Sequence, residues 1–312
     1  MEQLATGSGE ALPPPRRGTP VTCHLLLGLA DQPTLHYCPF ERTVSEGNVR
    51  NINGSTVLLT GASGGIGNAL ARALAARGAH LVVTGRRADA LQQLETSLGA
   101  RPLVADLSDR EAVEDLAERA GPVDILIANA ALPASGPLLD YTPRQIDRSL
   151  EVNLRAPLLL ARLLAPHMVA AGRGHLVMIG SISGRTSSPS TSLYSAAKFG
   201  LRGFAHALRQ DLHGTGVGVS LVQPGFVRDA GMFADTGATP PAGIRTVSPE
   251  QVAAGALKAI ERNRAEVNVA PLELRLGSAI GGLFPTLAAA AQRRASPASL
   301  VQQIAQAQRH QR

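Results

Sequence analysis

Tryptophan is absent from the 312 residues and aromatics make up only 3% of them, so any core must be built from Ala, Val, Leu and Ile. Lysine is almost missing as well: of 30 basic residues only Lys198 and Lys258 are lysines, which leaves 28 arginines. Those arginines are scattered singly and in pairs, with no basic run and no interleaved aromatics. The net charge of +6 and the pI near 10.1 therefore describe a solvated surface rather than a nucleic-acid footprint. The two cysteines, Cys23 and Cys38, could pair, but both lie in an irregular leader outside the expected core, and a reducing cytoplasm is the simpler expectation. Long apolar runs are missing too. "CHLLLGLA" near the start follows Glu2, Glu10 and several prolines, unlike a secretory signal. "LGSAIGGLFPTLAAAA" (Leu276 to Ala291) is shorter than a spanning helix needs and contains Pro285. His175, His206 and His213 lack ligand spacing, so no metal is expected.

What is present is a hydrophobic share of 44% against 17% charged, the balance of a folded globular chain. Residues 1–50 change character repeatedly and include "ALPPPRRGTP"; a poorly ordered N-terminal extension is expected there. From Thr56 short apolar runs recur: "TVLLTG", "HLVVTG", "RPLVAD", "DILIANA", "HLVMIGS" and "GVSLVQPG". Stretches with helical spacing, such as "NALARALAARG" and "REAVEDLAERAG", separate them. Continuous apolar strands alternating with amphipathic helices predict an α/β fold: one doubly wound parallel sheet between two helical layers, over residues 51–275. "EVNVAP" (Glu266 to Pro271) supplies the last strand, and 276–312 reads as a C-terminal helical extension.

The first strand runs into "TGASGGIG", Thr60 to Gly67, and then into a helix. Glycines let the backbone turn tightly against a pyrophosphate, and the helix N-terminus adds free N–H groups and a positive dipole end. Gly61, Ser63, Gly64, Gly65, Ile66 and Gly67 are thus candidate nucleotide contacts. The second strand ends at Gly85 where a carboxylate for a ribose 2′-hydroxyl would stand, and Arg86 and Arg87 follow. A guanidinium there suits a 2′-phosphate, so NADP(H) is preferred, with NAD(H) left open. Farther along, "VMIGSISG" ends an apolar strand at Ser181, and "YSAAKFGLRGFAHALRQDL" reads as a long helix. On it Tyr194 and Lys198 stand at i and i+4, one turn apart on one face. An ammonium so placed favours the phenolate and is expected to lower the phenol's pKa toward neutrality, while Ser181 orients a substrate oxygen.

The spacing G-x-x-x-G-x-G together with Y-x-x-x-K and an upstream serine resembles the short-chain dehydrogenase/reductase family, over about Thr56 to Pro271. The resemblance implies a single Rossmann-type domain and hydride transfer between NADP(H), or NAD(H), and a carbonyl or secondary alcohol. It implies that Asn153, in "EVNLR", holds a water linking Lys198 to solvent, and that Asp106 meets the adenine. For Asp106 or Ser108 a helix-capping reading competes, because Glu111 lies where a capping box places its acid. "ANAA" (Ala128 to Ala131) stands where the family carries N-N-A-G, matching at Asn129 and Ala130. In "VQPGFVRDAGMF", Pro224, Gly225 and Val227 match positions beside the nicotinamide, whereas Asp229 replaces a frequent Thr. Leu132, Pro133, Met232, Phe233 and Ile244 suggest an apolar wall, hence an apolar alcohol or ketone. The resemblance also implies a homodimer or homotetramer built from the helices around 153–171 and 195–212. The run 276–291 is expected to cover the site or form an oligomer contact, with an interfacial membrane segment as a third reading. A silent nucleotide-binding regulator and a membrane-associated lipid or steroid dehydrogenase stand as alternatives to the enzyme.

Overall fold

In the computed structural model, residues 51–240, 243–295 and 298–309 are described. The expected N-terminal extension, with Cys23 and Cys38, lies outside the described residues. Seven strands, β1 (Thr56–Thr60), β2 (His80–Gly85), β3 (Arg101–Val104), β4 (Ile125–Ala128), β5 (Gly174–Ile179), β6 (Val217–Pro224) and β7 (Glu266–Val269), form one sheet. Every pairing is parallel and the order is β3-β2-β1-β4-β5-β6-β7. The order reverses between β1 and β4, and a crevice opens there at the carboxyl ends of the strands.

The apolar runs are continuous because the inner strands are covered on both faces. Val57 and Leu59 of β1 point to one side, where they meet Leu70 and Leu74 of α1 (Gly65–Ala75) and Val252 and Ile260 of α7 (Pro249–Glu261). Leu58 points to the other, against Leu116 of α3 (Arg110–Ala120), Leu160 and Met168 of α5 (Ala156–Ala170) and Leu201 of α6 (Ser192–Asp211). Each fully buried leucine contributes about 1.5–3 kcal/mol, so two such layers fix the sheet firmly. The edge strands are less apolar: in β7 every residue is only half-buried. α2 (Ala88–Leu98) covers the same face as α1, and α4 (Pro143–Leu150) leads into α5.

Between α4 and α5 the chain widens into a π-helical turn, Glu151–Arg155, where the Ala156 N–H reaches back five residues to the Glu151 carbonyl. Pro157 explains the change, since it cannot donate to the Asn153 carbonyl four residues earlier. After β7 come α8 (Leu272–Leu283), α9 (Pro285–Ala295) and α10 (Ala298–Gln308). Among the described residues no helix is long and apolar enough to cross a membrane.

Candidate active site

Two clefts open at the carboxyl edge of the sheet. One, of about 280 Å³, runs from the glycine loop past Arg86, Arg87, Asp106 and Arg148 to Leu132. The other, of about 710 Å³, holds Ser181, Tyr194, Lys198 and Pro224 to Val227. Ile66, Asn129, Ala131 and Met232 line both, so the two are neighbours across a short divide.

The glycine loop is shaped for close approach. Gly61 sits at φ +65°, and a Cβ there would lie 2.7 Å from Cα of Ala130. At Gly67 a Cβ would fall 2.1 Å from the Gly61 carbonyl oxygen, so α1 can begin only with glycine at that position. α1 has no side-chain cap at Gly64 and no acid in its first turn. Its free N–H groups and positive end therefore face the smaller cleft uncompensated. With three arginines on the same cleft, that donor set fits a dinucleotide carrying phosphates.

The two arginines after β2 do different jobs. Arg87 Nη2 donates to the Ser63 carbonyl at 2.5 Å and so braces the loop, while Arg86 lines the cleft from an exposed position. A Cβ at position 85 would sit 3.0 Å from Ser63 Oγ, so a side chain there would need that hydroxyl to turn aside. Asp106 Oδ1 accepts from the Ser108 amide and hydroxyl at 2.9 and 2.8 Å. Burial works to raise its pKa, but those bonds and the charges of Arg86 and Arg148 outweigh it and hold the carboxyl below its ordinary range. The capping alternative fails by position: the N-cap of α3 is Asp109, whose side chain accepts from Glu111 N. Arg148 was not singled out by sequence reasoning, and no local pattern marks it.

Asn129 ties β4 to the loop. Its Nδ2 donates to the carbonyls of Thr60 and Gly61 at 3.1 Å each, and its backbone N–H donates to Thr60 Oγ1 at 3.0 Å. Ala131 is absent from the residues with positive φ, so alanine stands there without strain. Asn153 is buried, and its side chain does something the resemblance did not suggest. Its Oδ1 accepts from Leu132 N at 2.7 Å, while Nδ2 donates to Leu132 O at 3.0 Å and to Ser149 Oγ at 3.2 Å. The amide thus pins the loop after β4.

Ser181 starts a 3₁₀ turn just past β5, and its Oγ accepts from Ser183 N at 3.1 Å. Tyr194 is hydrogen-bonded to Ser181. Lys198 Nζ lies 5.7 Å from the Tyr194 ring centroid and donates to the Ile179 carbonyl at 3.0 Å. Burial pulls the lysine down to about 8. Burial also raises the Tyr194 phenol, a push that the Ser181 hydrogen bond only partly offsets. The expected lowering of that phenol by Lys198 is therefore overturned: desolvation of the phenolate dominates, and the ammonium turns to Ile179.

Val227 bridges to Val247 through the Val247 N–H to Phe226 O and the Arg228 N–H to Val247 O, both 2.9 Å. Those bonds leave Val227's own N–H and carbonyl on the opposite edge, beside Pro224 and Gly225 in the large cleft. Asp229 has a φ of +68° and pairs with Arg228. Met232, Phe233 and Ile244 line the large cleft as expected. Leu132 instead faces the small one, and Pro133 is buried and lines neither, because Asn153 draws their loop inward. The expected C-terminal helical extension also reaches the site through a residue that sequence reasoning missed: in α10, Gln308 Oε1 accepts from Ser135 N at 3.2 Å, and Nε2 donates to the Met232 carbonyl at 3.4 Å.

The family described as "short chain dehydrogenase" matches residues 55–240. The chain belongs to the short-chain dehydrogenase/reductase family. It is similar to a protein named ketoacyl reductase HetN from Nostoc sp., 38% identical over 251 residues that span 75% of this chain and 87% of that protein. It is also similar to dehydrogenase/reductase SDR family member 7B of Xenopus laevis, 34% identical across 76% of this chain and 80% of the relative. Among solved structures, a short-chain dehydrogenase from Sphingobium yanoikuyae in complex with NADPH aligns with a TM-score of 0.64 at 29% identity, covering 74% of this chain and 96% of that one. A metagenomic short-chain oxidoreductase in complex with NADP aligns with a TM-score of 0.61 at 33% identity, covering 71% and 99%.

Proposed function

We propose that this short-chain dehydrogenase is an NADP(H)-dependent oxidoreductase that interconverts an apolar ketone and its secondary alcohol, acting as a cytoplasmic homo-oligomer. The observation that carries the reading is the Ser181–Tyr194–Lys198 set in a large apolar cleft that neighbours a phosphate-ready one. The names of the Nostoc ketoacyl reductase and of the NADP and NADPH complexes point the same way. Leu163 and Val169 on α5 and Phe199 on α6, all exposed, support an oligomer contact on those helices.

When bound, the nicotinamide dinucleotide supplies or accepts the hydride. The α1 amides and loop residues Gly61, Ser63, Gly64, Gly65, Ile66 and Gly67 would hold its pyrophosphate. Arg86 would meet a 2′-phosphate, and Asp106 the adenine. Asn129, Pro224, Gly225 and Val227 shape the nicotinamide end. Ser181 Oγ orients the substrate oxygen, and Tyr194 gives it a proton in the reducing direction. A phenol raised by burial stays protonated at neutral pH, so the chain is set up as an acid. Lys198 would hold the ribose hydroxyls and return the tyrosine's proton. The Asn153 carbonyl offers a water its path to the lysine.

Tyr194→Phe tests the reading. Turnover of a ketone panel followed by NADPH absorbance should fall by about 10²–10⁴, while NADPH affinity by fluorescence stays within about twofold. Retained activity would reassign the acid.

A further inference from the structure

Five large apolar side chains on α8 and α9 and one at the break between them stand more than half exposed: Leu272, Leu276, Ile280, Leu283, Phe284 and Leu287. Leu272, Leu276, Ile280 and Leu283 recur at i, i+4, i+8 and i+11, which places them along one face of α8. Phe284 and Leu287 carry the stripe past Pro285 into α9. Two of the six, Ile280 and Leu287, also line the large cleft. The exposed stripe and the substrate cavity are therefore one continuous apolar surface. A patch of this kind marks an interaction site.

The charge around it is one-sided. From 272 to 295 the only acid is Glu273, and Arg245 holds it through bonds of 3.0 to 3.2 Å from Nη2, Nε and its backbone N–H. That pairing keeps the Glu273 carboxyl down at about 2, charged but neutralised. Arg275 is exposed on α8, and α9 carries Arg293 and Arg294 in its sequence. A second copy of the chain seated here would cover the mouth of the cavity and close the way to Tyr194. A bilayer surface would instead cover the stripe and feed the cavity with apolar molecules.

We infer that the α8–α9 face docks on the surface of an anionic lipid bilayer, and that the substrate is a membrane-borne amphiphilic ketone or alcohol entering past Ile280 and Leu287. The inference rests on the hydride-transfer reading for its substrate. The helices lie on the membrane, with the leucines reaching the acyl boundary and Arg275 among the headgroups.

The test is sedimentation of the full chain with vesicles of phosphatidylcholine containing 30% phosphatidylglycerol, alongside phosphatidylcholine alone. The protein should pellet with the anionic vesicles and far less with the neutral ones. The double variant Leu276→Glu, Leu283→Glu lies outside the cavity lining and on exposed positions. It should lose at least about tenfold in binding while keeping its sedimentation coefficient in solution. Absence of wild-type binding, equal binding by the variant, or a drop in the variant's oligomer mass would each overturn the proposal, the last by making this face a copy-to-copy contact. Turnover of a small water-soluble ketone without vesicles should be the same in wild type and variant. If neither turns it over while vesicle binding behaves as expected, the hydride-transfer reading fails and docking stands.

Discussion

Replacing Lys198 with methionine should leave the apo protein as stable or more stable at neutral pH while abolishing activity, and the balance should reverse in alkali. The side chain is 3% exposed, and burial pulls its ammonium from the ordinary 10.5 to about 8. That gap is worth about 3 kcal/mol. Below about pH 8 the lysine is charged in both folded and unfolded chains, and the fold carries the full penalty. Between about 8 and 10.5 the unfolded chain binds more protons than the folded one, so wild-type stability rises with pH. Methionine removes the penalty but leaves the Ile179 carbonyl without its donor, a loss of about 1–3 kcal/mol. The variant should then be level with wild type or up to about 2 kcal/mol more stable at pH 7. Near pH 10 it should be about 1–2 kcal/mol less stable. Urea unfolding followed by circular dichroism, without added cofactor, reads both. A stability difference that stays constant from pH 7 to 10 would refute the reasoning.

Three other perturbations separate the parts of the site. Arg86→Ala should weaken NADPH binding about tenfold, the scale of one charge-assisted contact, and leave NADH within about twofold; equal losses in fluorescence titrations would remove Arg86 from the 2′-phosphate. Gly67→Ala drives a Cβ to 2.1 Å from a backbone oxygen that cannot move aside, so NADPH binding by calorimetry should disappear, and retained binding would mean the loop is plastic. Gln308→Ala removes two bonds of about 1 kcal/mol each. It should raise KM several-fold with NADPH affinity unchanged, and an unchanged KM would free α10 from the substrate cavity.

The parts of this site visible in sequence are those whose chemistry is local. A glycine loop between strand and helix, Tyr194 and Lys198 one turn apart, and Ser181 at a strand end all carry their geometry within a few residues. The alternation of apolar runs and amphipathic helices gave the sheet, because inner strands covered on both faces have no polar side to disguise them. What sequence could not give depends on distant partners. Gln308 meets Ser135 across 173 residues, and Arg148 reaches the smaller cleft and its charge acts on Asp106 only because α4 folds beside it. Asn153 was identified, but its grip on Leu132 follows from the π turn at Pro157. The cap of α3 fell at Asp109 rather than Asp106 or Ser108 because several adjacent residues can cap equally well, and tertiary placement chose among them.

The Tyr194 phenol shows why a charge in the right place need not have the expected effect. Proximity in sequence fixed where the ammonium sits, but desolvation decided the sign of the phenol's shift. The same balance explains why an arginine-rich chain keeps lysine at position 198. The pocket under Ile179 offers one carbonyl at 3.0 Å to a side chain almost wholly out of water. A guanidinium brings five donors in a rigid plane and stays charged at any pH the protein meets, so most of its hydrogens would be buried without acceptors. An ammonium has three donors on a flexible stem, and at a pKa of about 8 it can release its proton toward the tyrosine and regain it from solvent. A pocket with one carbonyl at 3.0 Å and almost no water therefore suits an ammonium better than a guanidinium.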